Sequence, residues 1–138
     1  MLAVLLQSFG YRTMALLHIL TVVTAFGPLM LYPGLRKAGE TSTIAQMHMR
    51  ITFPSLIALW VLGMGLAGMS EDAYELSQLW LSLSIAVWVV LIAVSWFLIR
   101  PSITDPSEAA TTKFSAGVGI THLGLIVGLV LMIWKPGL

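Results

Sequence analysis

The sequence predicts an all-α integral membrane protein, a bundle of four transmembrane helices. Four apolar stretches, at about residues 14–32, 51–69, 79–99 and 114–134, are each long enough to cross a hydrocarbon layer of about 30 Å. None of them contains Asp, Glu, Lys or Arg. Hydrophobic residues make up 58% of the chain and charged residues 9%, and the mean hydropathy is +0.94, values typical of membrane proteins. Since lipid offers the backbone no hydrogen-bond partners, each stretch is expected to be helical.

Prolines suggest where these helices end or bend. Pro28 lies inside the first apolar stretch, removes a backbone donor and predicts a kink. The pair Pro33-Gly34 is expected to end the first helix, and Pro101 to end the third. Pro54 falls in the first turn predicted for the second helix, where a missing N–H matters little.

Basic residues predict the orientation of the bundle. Five lie in the connections between helices 1 and 2 and between helices 3 and 4, against two on the opposite side. The five are Arg36, Lys37, Arg50, Arg100 and Lys113, and the two are Arg12 and Lys135. The positive-inside rule therefore predicts both termini outside, in a bacterial inner membrane. Four aromatic residues are then expected at the outer interface: Tyr11, Tyr74, Trp80 and Trp134.

Small residues mark faces where two helices can approach closely. Gly124 and Gly128 form a GxxxG in the fourth helix, and Gly63, Gly65 and Gly68 crowd the second. Such faces serve packing within the chain or docking of a neighbouring subunit, and both interpretations stay open.

Length and composition narrow the function classes. We expect residues 1–138 to form one four-helix domain, so that a soluble partner would be a separate chain. A net charge of +1 argues against binding nucleic acid. The absence of cysteine excludes disulfides, thiolate metal sites and Cys nucleophiles. The lipid bilayer and a larger membrane complex or a homo-oligomer are the expected partners.

Three histidines are candidate functional residues, and they lie at different depths. His18 is six residues beyond Arg12 and thus about 9 Å below the outer boundary. His122 is near mid-membrane, and His48 is expected at the cytoplasmic interface beside headgroups or water. The unequal depths disfavour a haem held by two of these histidines. An imidazole in hydrocarbon needs a partner or a function, which makes His18 the strongest candidate.

Methionines add soft donors near His18. Met64, on the antiparallel second helix, reaches about the depth of His18, and Met14 is four residues from His18 on the same helical face. Met132 is also near the outer side. The candidate haem ligands are therefore His18, Met64 and His122, and the candidate metal ligands His18, Met14 and Met64. Ordinary packing would account for the methionines equally well.

Three short segments resemble a known family. They are Met14–Leu20 with Pro28 and Tyr32 downstream, Met49–Pro54 running into Gly63 and Gly65, and Trp134–Pro136. The segments are similar to the first, second and fourth helices of membrane-bound protoporphyrinogen oxidases of the HemJ type and of related copper-resistance D domains. This superfamily consists of small four-helix bacterial membrane proteins. The resemblance implies that His18 matches a helix-1 histidine involved in binding haem b.

The third helix departs from the oxidase pattern. The resemblance implies a third helix with a polar set that includes lysine. Residues 79–99 of this chain have instead Ser82, Ser84 and Ser95 as their small polar side chains. An uncharacterised member family fits better, and no catalytic residue is assigned.

Three functions follow as hypotheses. The leading one is a protein that binds haem b or a porphyrin through His18, in redox or tetrapyrrole biology. The alternatives are a non-catalytic accessory subunit of a larger respiratory or photosynthetic membrane complex and, more weakly, copper handling.

Overall fold

The computed structural model describes residues 8–137, which form four long helices in an up-and-down bundle. The helices are α1 (Phe9–Lys37), α2 (Thr41–Gly68), α3 (Leu79–Ser102) and α4 (Glu108–Trp134). All four are long and apolar enough to cross a membrane, and the described residues contain no strand. Large apolar side chains point away from the bundle, with Phe97 75% and Trp134 71% exposed. Such a surface suits lipid as solvent, and the protein is a multi-pass membrane protein.

The helices extend further than the apolar stretches predict, mainly at the end of the bundle that carries the five basic residues, here called the basic end. Pro33-Gly34 does not end α1, which continues to Lys37, and α2 begins at Thr41 rather than at Ile51. Contacts across the bundle stabilise these extra turns. Arg36 donates hydrogen bonds to the Ser102 and Ile103 carbonyls, at 2.7 and 2.9 Å. The prediction from hydropathy was therefore wrong about these boundaries, because hydropathy records lipid contact and not helix length.

Two turns of π-helix interrupt the regular α-helical hydrogen bonding of α2 and α3. They cover His48–Thr52 and Val94–Ile99, and each is followed within two residues by a proline, Pro54 and Pro101. A proline inside a helix lacks its N–H and crowds the carbonyl four residues earlier. Widening the turn before the proline accommodates both effects. The helix α2 continues through Pro54 to Gly68, whereas α3 ends at Ser102, one residue after Pro101, as predicted.

The bundle consists of two helix hairpins, α1 packed on α2 and α3 packed on α4. Glycines allow close contact within each hairpin: an added Cβ at Gly63 would lie 3.1 Å from His18 Cε1, and one at Gly124 would lie 2.5 Å from Leu91 Cδ2. A Cβ at Gly128 would meet nothing within 4 Å. Of the predicted GxxxG, Gly124 therefore serves packing between α4 and α3, and Gly128 does not.

Candidate functional site

A cavity of about 470 Å³ lies between the two hairpins, in the half of the bundle nearest Ser8 and Gly137, here called the terminal half. All four helices contribute to its wall, among them Ala15 of α1, Gly63 of α2, Trp88 of α3 and Gly128 of α4. Small side chains on α1, α2 and α4 leave the space that larger residues would fill. The volume falls within the range of small-molecule and cofactor sites.

Aromatic rings supply much of the cavity wall. Trp60 and Trp88 stack with ring centroids 5.5 Å apart, and Trp88 Nε1 donates to the Leu56 carbonyl at 2.7 Å. Trp80 Nε1 donates to Gln78 Oε1 at 3.0 Å. Because these N–H groups bond elsewhere, the rings act as apolar surface toward the cavity. Three of the residues predicted for the outer aromatic belt, Tyr11, Tyr74 and Trp80, line this cavity.

His18 is the imidazole of the cavity wall. Its Nδ1 atom is buried and makes no hydrogen bond of good geometry among residues 8–137, although the imidazole lies within reach of the Leu59 backbone. The ring packs against α2, since Gly63 has no Cβ to keep it away. A buried polar atom without a partner destabilises a fold by about 1–3 kcal/mol, so its presence requires an explanation, such as a bound ligand.

The predicted donors divide into those that share the cavity with His18 and those that do not. Met64 lines the cavity, as the depth argument predicts, and Met132 joins it. Met14 packs instead at the contact with Gly65, where an added Cβ would lie 3.8 Å from its Sδ atom. His122 is not part of the cavity lining, although its Nε2 atom is also buried without a partner among the described residues.

A lysine belongs to the cavity lining where α4 ends. Lys135 Nζ donates to the Tyr74 hydroxyl at 2.9 Å and lies 4.5 Å from the centre of the Tyr74 ring. Ser70 fixes the turn that presents Tyr74, since its Oγ accepts the Tyr74 N–H at 3.0 Å and donates to the Ala67 carbonyl at 2.6 Å. The cavity lining therefore contains both an imidazole, from His18, and an ammonium group, from Lys135.

A second constellation, in the basic half, consists of Tyr32, His48, Thr52 and Ser95 and is here called the polar cluster. The four residues are between 0% and 2% exposed. His48 Nδ1 lies 3.3 Å from the Tyr32 hydroxyl, and that hydroxyl lies 2.8 Å from Thr52 Oγ1. His48 Nε2 lies 3.1 Å from the Ser95 carbonyl and 2.9 Å from Ser95 Oγ. The cluster joins α1, α2 and α3 where the two π-helical turns meet.

The placement of His48 at the cytoplasmic interface, in contact with headgroups or water, was wrong. Because α2 begins at Thr41, His48 lies about two turns inside the helix and is completely buried. The sequence contains a partial signal for this: His48 and Thr52 are four residues apart, hence on one helical face, and Pro54 follows them. Tyr32 and Ser95 come from other helices, and no local pattern connects them to His48.

The polar cluster and the cavity suit different roles. Both ring nitrogens of His48 have partners, and Phe114 of α4 stacks on Tyr32 with centroids 6.2 Å apart, so the cluster is a satisfied, packed junction. The cavity combines free volume, a nitrogen without a partner and thioether side chains. It is the candidate binding site.

Within residues 8–137, no group of three or more His, Cys, Asp or Glu side chains could hold a metal ion, so any metal in the cavity would depend on His18 and methionine.

Comparison with known proteins adds no further assignment. No protein-family model, no curated protein and no solved structure matches this chain.

Proposed function

We propose that this protein binds haem b or a related tetrapyrrole in the cavity of its terminal half, through His18, and acts in redox or tetrapyrrole biology of the bacterial inner membrane. One observation carries the proposal. Within residues 8–137 the buried Nδ1 of His18 makes no hydrogen bond of good geometry, and His18 lies in the wall of a cavity of about 470 Å³. An imidazole in such a place is a functional candidate in a membrane protein.

The chemistry of the cavity fits a haem. His18 would be the iron ligand, and Met64 and Met132 are thioethers of the same cavity that could complete a His/Met pair. Trp60 and Trp88 provide apolar ring surface for a planar macrocycle. When bound, haem would supply one-electron redox chemistry, and the protein would bind and orient it and exclude water.

The absorption spectrum of His18→Ala tests the proposal. Protein purified in mild detergent from haem-replete cells is expected to show a Soret band that His18→Ala abolishes, while expression and helix content stay unchanged. His122→Ala is the matched control, because it removes the other buried imidazole nitrogen that lacks a partner but lies outside the cavity lining. Wild-type protein without tetrapyrrole would contradict the proposal and favour the accessory-subunit function. Loss of the band only in His122→Ala would move the ligand to α4.

Copper handling is the second candidate, since His18, Met64 and Met132 share the cavity and form a soft donor set suited to Cu(I). Metal analysis after growth with added copper distinguishes it from haem. Copper that co-purifies with wild-type protein and is lost in both His18→Ala and Met64→Leu would favour this candidate.

The proposal also places the cavity in the outer half of the membrane. The basic residues at the ends of α1 and α3 support this orientation through the positive-inside rule. Reporter fusions after Gly39, in the connection between α1 and α2, and at the C-terminus are expected on opposite sides, with the Gly39 fusion in the cytoplasm. A cytoplasmic C-terminal fusion would place the cavity in the inner half instead.

A further inference from the structure

We infer that Lys135 and Tyr74 form an acid-recognition position in the part of the cavity lining where α4 ends, which binds a carboxylate of the ligand. The cavity then selects tetrapyrroles that carry free acid groups and orients them with the acid edge outward. This inference rests on the proposed function, and it adds the class of tetrapyrrole and its direction of entry.

The first support is the position of the ammonium group. Lys135 is the one lysine or arginine among the described residues that line the cavity. Its Nζ lies 2.9 Å from the Tyr74 hydroxyl, 4.5 Å from the Tyr74 ring centre and 5.5 Å from the Trp80 ring centre. Cation–π contacts with two rings hold the ammonium in place. The Tyr74 hydroxyl accepts from Lys135, so its own proton is available to an incoming acceptor.

The second support is charge. The hydrogen bond of Lys135 goes to a neutral phenol, although the loop between α2 and α3 carries Glu71, Asp72 and Glu75. A carboxylate at Lys135 and Tyr74 would gain one charge-assisted hydrogen bond and one from the hydroxyl, next to apolar walls that strengthen both. A neutral ester at the same place would lose the ionic contribution.

The third support is the backbone of Lys135 itself. It is the residue that ends α4, with φ 43° and ψ 60°, a left-handed conformation that glycine or asparagine adopts more easily. The turn is anchored, since the Pro136 carbonyl accepts the Trp80 N–H at 3.1 Å. This turn places the side chain of Lys135 in the cavity lining.

These three observations match one ligand chemistry. The molecule has an apolar planar body to fill the cavity beside His18 and an acidic edge that reaches Lys135. Haem b and protoporphyrin have this form, because their two carboxylates lie on one edge of the macrocycle. Their dimethyl esters have the same body without the charge, which makes them a matched pair of probes.

The experiment compares free acid with dimethyl ester. Wild-type protein in phosphatidylcholine nanodiscs is titrated with haem b and with haem dimethyl ester, followed by absorption. We expect Lys135→Asn to weaken binding of the free acid about tenfold, the factor that loss of a charge-assisted hydrogen bond corresponds to, and to leave binding of the ester unchanged. Lys135→Arg keeps the charge and is expected to retain the preference for the acid. Lys113→Asn, near the other end of α4 and outside the cavity lining, is the charge control.

The choice of asparagine separates recognition from folding. Asparagine tolerates the left-handed conformation, so the thermal midpoint of ligand-free Lys135→Asn is expected to equal or exceed that of the wild type. Equal weakening of acid and ester, or no weakening of either, would overturn the inference while leaving tetrapyrrole binding intact. Wild-type protein that binds neither probe would overturn the proposed function and this inference with it. Loss of the acid preference on adding phosphatidylglycerol would assign the position to a lipid phosphate and overturn the tetrapyrrole assignment.

Discussion

The two halves of the bundle place a histidine in opposite surroundings. In the basic half, His48 is fully buried and both of its ring nitrogens are hydrogen-bonded, inside a core that includes Tyr32 and Phe114. In the terminal half, His18 lies against a cavity with one nitrogen that has no partner within the described residues. The same side chain is a hydrogen-bonded junction in one half and part of a cavity wall in the other. Its surroundings therefore separate the two roles better than its identity or depth.

Backbone features of the two halves explain the difference. In the basic half, Pro54 and Pro101 each follow a π-helical turn, and these turns widen α2 and α3 where Ser95 meets His48. Arg36 closes that end by binding three carbonyls of the segment 102–105. In the terminal half, Gly63 and Gly128 line the space between the hairpins. One half is thus pinned by polar contacts, and the other is left with room for a ligand.

The comparison predicts that the largest loss of stability follows from opening the polar cluster. His48→Phe keeps a ring of similar shape but leaves the Tyr32 and Ser95 hydroxyls without their shared partner. We expect the free energy of unfolding in detergent to fall by about 2–3 kcal/mol, the range for buried groups that lose their partners. Denaturant titration followed by circular dichroism measures it. A change below about 0.5 kcal/mol would mean that the cluster does not pin the helices.

Tyr32→Phe tests the same cluster with a smaller expected loss of stability. It removes only the hydroxyl and keeps the ring that stacks on Phe114. We expect it to lower the free energy of unfolding by about 1–2 kcal/mol, less than His48→Phe, because His48 keeps its two contacts with Ser95. A larger effect from Tyr32→Phe than from His48→Phe would show that Thr52, and not His48, is the main partner of the hydroxyl.

A second prediction uses the two glycines of the GxxxG. Gly124→Leu places a side chain against Leu91 and is expected to lower the free energy of unfolding by about 1–3 kcal/mol, as overpacking does. Gly128→Leu is the matched control, since its Cβ meets nothing within 4 Å. It is expected to leave stability nearly unchanged and to weaken ligand binding by filling the cavity. Equal stability of both variants would contradict the packing of α4 on α3 through Gly124.

Part of this arrangement follows from the sequence alone. The four helices follow from apolar length, and the shared level of His18 and Met64 follows from counting residues along antiparallel helices. Both depend on local rules. The segment 41–50 was not predicted as helix because its polar residues suggest a loop. The burial of His48 within it depends on α1, whose Tyr32 contacts the imidazole. The cavity likewise depends on how two hairpins meet, which no run of residues specifies.

The smallest expected effect on stability belongs to His18→Phe, the same exchange as in the polar cluster but made in the other half. The His18 ring fits against Gly63, and phenylalanine keeps an aromatic ring at this position. The exchange removes Nδ1, which makes no hydrogen bond of good geometry within residues 8–137, and with it the contact of the imidazole with the Leu59 backbone. We expect the free energy of unfolding of ligand-free protein to stay within about 0.5 kcal/mol of the wild type or to rise. The measurement must use ligand-free protein, because a ligand bound to the native state adds its own stabilisation.

If His18→Phe destabilises the bundle as strongly as His48→Phe, then His18 has a structural partner, and the contrast between the two halves is wrong. A stable His18→Phe protein that no longer binds a tetrapyrrole would show that the imidazole of His18 serves ligand binding and not the stability of the bundle.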